Sequence, residues 1–266
     1  MIKKQNTSSF FNENGFAIIK NKFSKEVKDI KSEIIDHLNF FGKKNNLTSG
    51  KDKNYDDLVK KIMIPGTKLR TFIYDSAPFL NSIQKLNHHS YIKKFLKEFG
   101  YKKPVCVGMS NIRFDIKNKK EFKFLRGIHQ DIRSIRSKKT VTIWIPITKV
   151  DKKHGTVVMY PKTQNFGLLR HIYKPNLLIE NKDLPININE MEKNKFVINA
   201  NPGDIIVFNC FTLHRSEKAK IDKVRSVIQL TYTDISEVDM TDNLFFLNSE
   251  FDAFAKKDKS LNSTLK

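Results

Sequence analysis

The sequence predicts a β-rich domain with helical cover, and three observations carry that prediction. Apolar residues recur at helical spacing in the first hundred residues, with Val27, Ile30, Ile34, Leu38 and Phe41 on one face. From Pro104 the period changes to two, as in Thr140-Val141-Thr142-Ile143-Trp144-Ile145. In that run Thr142 and Trp144 share one face and Val141, Ile143 and Ile145 the other. The polar and aromatic face suits a barrel interior that holds a ligand, and the aliphatic face suits packing under helices.

Taken in order, residues 24–42 read as an amphipathic helix with Ser24 as N-cap, and residues 43–54, rich in Lys, Asn, Ser and Gly, as a loop. Tyr55 to Met63 and Phe79 to Phe99 read as helices, the second ending at Gly100 and containing His88-His89. Adjacent helical positions point about 100° apart, so that pair makes a poor chelate and reads as surface. Val105–Val107, Ser110–Phe114 and Thr156–Tyr160 read as strands, with Asp151–Gly155 a turn holding His154. Residues 162–196 are long and irregular, a length at which loops often serve as lids or binding loops. Asn201-Pro202-Gly203-Asp204 is a turn into the apolar strand Ile205-Ile206-Val207-Phe208. Val224 to Tyr232 alternates as a half-buried strand with Arg225, Val227, Gln229 and Thr231 on one face. Beyond Asp234 the chain is polar and Lys-rich, with Phe245, Phe246, Leu247, Phe251 and Phe254 suited to one more helical segment and 256–266 to a frayed end. The expectation is one domain over 1–266: helical cover in 1–103, a β core in 104–234 and an extension in 235–266.

The 266 residues, 39% hydrophobic with 21 Phe, suffice for one large core. Cys106 and Cys210 are too few for a disulfide framework and lack metal-site spacing, so a reducing cytoplasm is expected. Asn12, Glu13 and Asn14 interrupt any apolar run near the start, and no run approaches the ~18 residues of a membrane span. The net charge is +21, from 49 Lys and Arg against 28 Asp and Glu. Two readings of that excess stand: a compositional bias toward scattered, solvated lysines, or binding of an anionic partner. Nine basic residues between 117 and 139 (against Glu121 and Asp131) would bias whatever they surround toward anions. Arg113 and Arg126 could bind an anionic substrate, but each reads first as a surface or salt-bridged residue.

The chemistry lies in His129-Gln130-Asp131, with His214 far downstream. A His and a carboxylate two residues apart on an extended chain point to one side. With a second His they make a 2-His-1-carboxylate set, which suits Fe(II) and leaves open positions for oxygen and substrate. Arg225, eleven residues past His214, lies on the inner face of its strand and needs an anionic partner; its fork is built for a carboxylate. His214 reads as the point where a strand runs out into a loop. Cys210 reads as a small apolar residue near the site.

The stretch from about 104 to 234 resembles the phytanoyl-CoA dioxygenase family of Fe(II)/2-oxoglutarate oxygenases. The resemblance rests on Gly127-Ile128-His129-Gln130-Asp131, Thr142-Ile143-Trp144-Ile145-Pro146-Ile147, Gly155-Thr156-Val157-Val158-Met159-Tyr160-Pro161 and Pro202-Gly203-Asp204…His214-Arg215-Ser216…Arg225. It implies a double-stranded β-helix core of the jelly-roll, cupin-like kind, flanked by N-terminal helices. It implies iron on His129, Asp131 and His214, and the distal carboxylate of 2-oxoglutarate on Arg225 and Ser216. Gln130 and Trp144 match positions lining the cosubstrate or substrate pocket. The family's Pro-Gly-Ser-His segment is here Pro161-Lys162-Thr163-Gln164, a departure near the substrate mouth. The activity implied is hydroxylation, or another oxidation, of a small-molecule C–H bond, using O2 and releasing succinate and CO2. The intact Asp131 argues against halogenation, which needs that position free for chloride. A cupin-like metal enzyme without 2-oxoglutarate, and a basic nucleic-acid-binding protein, are the alternatives. Arg225 argues against the first and the intact ligand set against the second.

Overall fold

The computed structural model describes residues 6–107, 110–117, 127–131, 139–170 and 179–237. Its strands are β1 Phe16–Ile19, β2 Pro104–Cys106, β3 Asn111–Asp115, β4 Thr140–Pro146, β5 Thr156–Met159, β6 Phe196–Val197, β7 Ile205–Asn209, β8 His214–Glu217 and β9 Arg225–Asp234. Its helices are α1 Thr7–Asn14, α2 Ser24–Lys44, α3 Tyr55–Ile62, α4 Lys68–Ser76, α5 Asn81–Asn87, α6 Ser90–Glu98 and α7 Ile188–Lys193. Two antiparallel sheets form a double-stranded β-helix. The larger runs β1-β7-β4-β9-β2, with β3 also on β9, and the smaller runs β6-β5-β8.

Register places the two faces. Phe16 pairs with Phe208, Phe208 with Thr142, Thr142 with Thr231, and Trp144 with both Ile206 and Gln229. Paired residues point to the same side, so these line the interior. Phe16, Trp144, Ile206, Phe208 and Val227 meet Val157 and Met159 of the smaller sheet there. The opposite face, with Ile143, Ile145, Val207, Ile228 and Leu230, packs under α2 and α3. The buried stripe of α2 is Val27, Ile30, Ile34 and Leu38. Burying each such side chain stabilises the fold by about 1.5–3 kcal/mol.

Several local expectations are corrected. Phe23, not Ser24, is the N-cap of α2. The helix expected over 79–99 is two helices, broken at His88 and His89 after Asn87, the last residue of α5. Asn favours caps over helix interiors, and His89 Nδ1 accepts from Tyr91 N to start α6. The region 162–196 contains α7 and ends where β6 begins, at Phe196. The expected helical cover in 1–103 also supplies β1, an edge strand of the larger sheet. The further helical segment around Phe245–Phe254 lies outside the described residues.

The turn before β7 is as the sequence reads. Gly203 sits at φ 84°, and a Cβ there would lie 2.6 Å from Ser24 N. Only glycine meets both demands. The buried Asp204 accepts from Lys20 Nζ, Asn21 N and Asn201 N, which ties the turn to the end of β1. No helix among the described residues is long and apolar enough to cross a membrane.

Candidate metal centre

His129 and His214 are brought together by their own backbones. Each N–H donates to the other's carbonyl, at 3.0 and 3.1 Å. His214 opens β8 rather than ending a strand, which corrects the sequence reading; the tight segment Cys210–Leu213 makes the connection. The two rings lie 4.0 Å apart between centroids, and Phe208 on β7 packs against His214 at 4.7 Å.

Each imidazole is fixed by a carbonyl. His129 Nδ1 lies 2.8 Å from Gly127 O, and His214 Nδ1 lies 3.0 Å from Thr212 O. A carbonyl only accepts, so both Nδ1 atoms carry a proton and Nε2 is the nitrogen each ring turns toward the centre. Asp131 Oδ1 lies 3.5 Å from His129 Nε2 and 3.6 Å from His214 Nε2. Its other oxygen, Oδ2, accepts from Thr142 Oγ1 at 2.6 Å. Burial pushes the Asp131 carboxyl up, but the two imidazoles and Thr142 outweigh it and hold it far below the usual carboxylate range.

The ligand atoms of His129, Asp131 and His214 lie within 4.8 Å of one another. Two imidazole nitrogens and one carboxylate oxygen, each oriented by a second partner, fit a divalent iron-type ion. The sequence pattern does not mark Thr142 as a site residue. Its interior placement beside Trp144 was the available signal.

Arg225 opens β9, buried. Its Nε and Nη2 donate to Asp115 Oδ2 at 2.9 and 2.6 Å, and its Nη1 donates to Thr156 O at 3.0 Å. Thr156 neighbours Val157, which pairs with Ser216, and Ser216 shares the face of His214 on β8. The fold therefore brings Arg225 and Ser216 to one end of the interior. Trp144 joins them, its ring 5.6 Å from the Arg225 guanidinium.

Gln130 is almost fully buried, and its amide holds backbone. It donates to Gly167 O at 2.7 Å and Phe211 O at 2.9 Å, and accepts from Leu169 N at 3.0 Å. Those bonds tie the 167–169 loop to the segment before His214. In the loop that departs from the family pattern, Lys162 adopts φ 68°, a conformation glycine would take without strain. Thr163 Oγ1 donates to Tyr160 O and accepts from Leu213 N, joining that loop to the same segment.

Arg113 contacts Asp115 at 3.3 Å. Lys117 donates to Lys220 O, and Lys139 pairs with Asp234 and Glu237. Arg126 and the other basic residues of the 117–139 stretch lie outside the described residues. His154 is a turn residue bonded to Asp151 at 2.7 Å. Burial holds the Cys210 thiol up at about 12, so it is no nucleophile.

The pattern of the phytanoyl-CoA dioxygenase (PhyH) family matches residues 11–227. No curated protein sequence matches the chain. Among solved structures, the non-heme monooxygenase ThoJ in its apo form is 15% identical with a TM-score of 0.61, over 98% of this chain and 99% of that one. The epimerase SnoN, in complex with Fe3+, alpha-ketoglutarate and nogalamycin RO, is 12% identical with a TM-score of 0.60, over 90% and 88%. EctD from S. alaskensis, with 2-oxoglutarate and 5-hydroxyectoine, is 12% identical with a TM-score of 0.51, over 89% and 77%. At such identities the likeness establishes the double-stranded β-helix fold.

Proposed function

We propose, from the premise that this chain belongs to the phytanoyl-CoA dioxygenase family of Fe(II)/2-oxoglutarate oxygenases, that it hydroxylates a C–H bond of a small molecule. The observation that carries the reading is the convergence of His129 Nε2, His214 Nε2 and Asp131 Oδ1, each held by a second hydrogen bond. Those three atoms would hold the iron. When bound, iron with 2-oxoglutarate and O2 supplies the oxidising power, and the cosubstrate leaves as succinate and CO2.

The chain's own residues bind, orient and exclude water. Gly127 O and Thr212 O engage Nδ1 of both imidazoles, so Nε2 is the nitrogen each would offer the metal. Thr142 fixes the rotation of the Asp131 carboxylate. Arg225 receives the distal carboxylate of 2-oxoglutarate with Ser216 beside it, and Trp144 walls that end. Met159, Phe208 and Val227, all buried, keep the interior dry. Gln130 supports the site by holding the 167–169 loop, rather than by contacting cosubstrate.

The preferred substrate carries a phosphate, phosphonate or carboxylate, a reading supported by the basic excess around the metal motif in 117–139. The test is succinate release, dependent on 2-oxoglutarate, across a panel of anionic and neutral metabolites. Turnover of an anionic compound with kcat/KM falling as salt rises supports the reading. A neutral best substrate with salt-independent kcat/KM removes the anionic part.

A further inference from the structure

Arg225 is not a bare cation awaiting a cosubstrate: its long edge is already occupied. A guanidinium carries five N–H donors. Nε–H and one Nη2–H go to a single oxygen, Oδ2 of Asp115, and one Nη1–H goes to Thr156 O. Two N–H groups, one on each terminal nitrogen, have no acceptor among the described residues.

Asp115 and Arg225 face each other directly across the β3–β9 ladder. Asp115 also contacts Arg113, two residues back on the same face of β3. Burial pushes the Asp115 carboxyl up, but Arg225 and Arg113 outweigh it and leave it ionised below its ordinary value.

We propose that Asp115 is the positioning residue of the cosubstrate pocket: it clamps the side edge of Arg225 so that the terminal nitrogens face the distal carboxylate of 2-oxoglutarate. The inference rests on the reading of Arg225 as the residue that receives that carboxylate. A long side chain held by three bonds at one end of the interior loses little freedom when the cosubstrate arrives. Without the clamp, the guanidinium would have to be ordered at the moment of binding. Asp115 acts through Arg225 and touches neither the cosubstrate nor the metal ligands.

The test is the binding of 2-oxoglutarate to the full chain loaded with Fe(II), without oxygen. Trp144 is the only tryptophan of the chain and lies beside Arg225, so its emission reports occupancy. Equilibrium dialysis of labelled 2-oxoglutarate gives a second measure, and Fe(II) affinity is measured in parallel. Asp115→Ala is expected to raise the Kd for 2-oxoglutarate at least tenfold with Fe(II) affinity unchanged. Asp115→Asn keeps an acceptor for Arg225 and is expected to bind as tightly as wild type, or tighter. In an Arg225→Ala background, Asp115→Ala is expected to add nothing. That double variant leaves no unpaired buried charge, so it serves even where Asp115→Ala alone fails to fold.

An unchanged Kd in Asp115→Ala overturns the proposal. So does a loss in Asp115→Asn as large as in Asp115→Ala, or a further loss in the double variant. If wild type does not bind 2-oxoglutarate, or Arg225→Ala does not weaken it, the cosubstrate reading fails and this inference fails with it. If both hold and the Asp115 variants behave otherwise than stated, only this inference fails.

Discussion

Thr142 Oγ1 donates a 2.6 Å hydrogen bond to Asp131 Oδ2, leaving Oδ1 turned toward both imidazoles. The bond links the interior face of β4 to the short segment that carries the carboxylate. Partners of this kind typically change metal affinity by about 10–100-fold when removed. Thr142→Val, nearly equal in volume, is therefore expected to weaken Fe(II) binding within that range. Thr142→Ser should keep most of it. Fe(II) titration under anaerobic conditions decides; equal affinity in the Val variant would show that Asp131 is oriented by something else.

Arg225→Ala should weaken 2-oxoglutarate by about 100-fold or more. A charge-assisted hydrogen bond contributes about 1.5–3 kcal/mol, and a bidentate pair has two. The ion pair with Asp115 adds a second consequence. Truncation leaves the part-buried Asp115 carboxylate with Arg113 alone, at 3.3 Å, so stability should fall as well. Arg225→Lys should recover only part of the affinity, since an ammonium lacks the fork. An unchanged KM for 2-oxoglutarate in the Ala variant would place the cosubstrate elsewhere.

Gln130 separates two roles. Its amide makes three hydrogen bonds to backbone groups, each contributing about 1 kcal/mol net. Gln130→Ala should lower stability by about 2–4 kcal/mol in denaturant titrations and loosen the 167–169 loop. Its KM for 2-oxoglutarate should stay within about threefold of wild type, because each 1.4 kcal/mol is a factor of ten and no direct contact is lost. A stable variant with a large rise in that KM would reverse the assignment and make Gln130 a cosubstrate contact.

Asp234 sets an acid limit on the fold. It accepts from Ser236 Oγ, Lys103 N, Lys102 N and Ser236 N, tying the start of β2 to the end of β9. Burial pushes its carboxyl up, but these bonds outweigh it and bring it down to about 2. A carboxyl depressed in the folded state stabilises above its unfolded pKa of about 3.9 and loses that contribution as pH falls toward about 2. Stability should therefore decline over that window. Asp234→Asn should be less stable at pH 7 and show a shallower decline. Parallel pH profiles of wild type and variant would rule out this role for Asp234.

Much of this arrangement is legible in the residues themselves. His129, Asp131, His214 and Arg225 are recognisable because residue type, order and spacing all reflect the chemistry. The alternation of Thr142 and Trp144 correctly gives the interior face of β4. Asp115 and the Thr142–Asp131 bond are different. Each depends on a pairing between strands about a hundred residues apart, or on a rotamer, and one strand read alone fixes neither. The break at His88-His89 is hidden for another reason: apolar spacing continues across it, and only the cap that His89 makes for α6 reveals it. β1 is short, and its strand character comes from pairing with β7 rather than from its own pattern.

The most direct measurement of the central claim is the anaerobic absorption spectrum of the protein with one equivalent of Fe(II), before and after 2-oxoglutarate. The account predicts a visible charge-transfer band in wild type that appears only when the cosubstrate is added. It predicts no such band in His129→Ala, Asp131→Ala or His214→Ala. Iron-loaded wild type that shows no band at saturating 2-oxoglutarate, or a band that survives loss of these ligands, would contradict it.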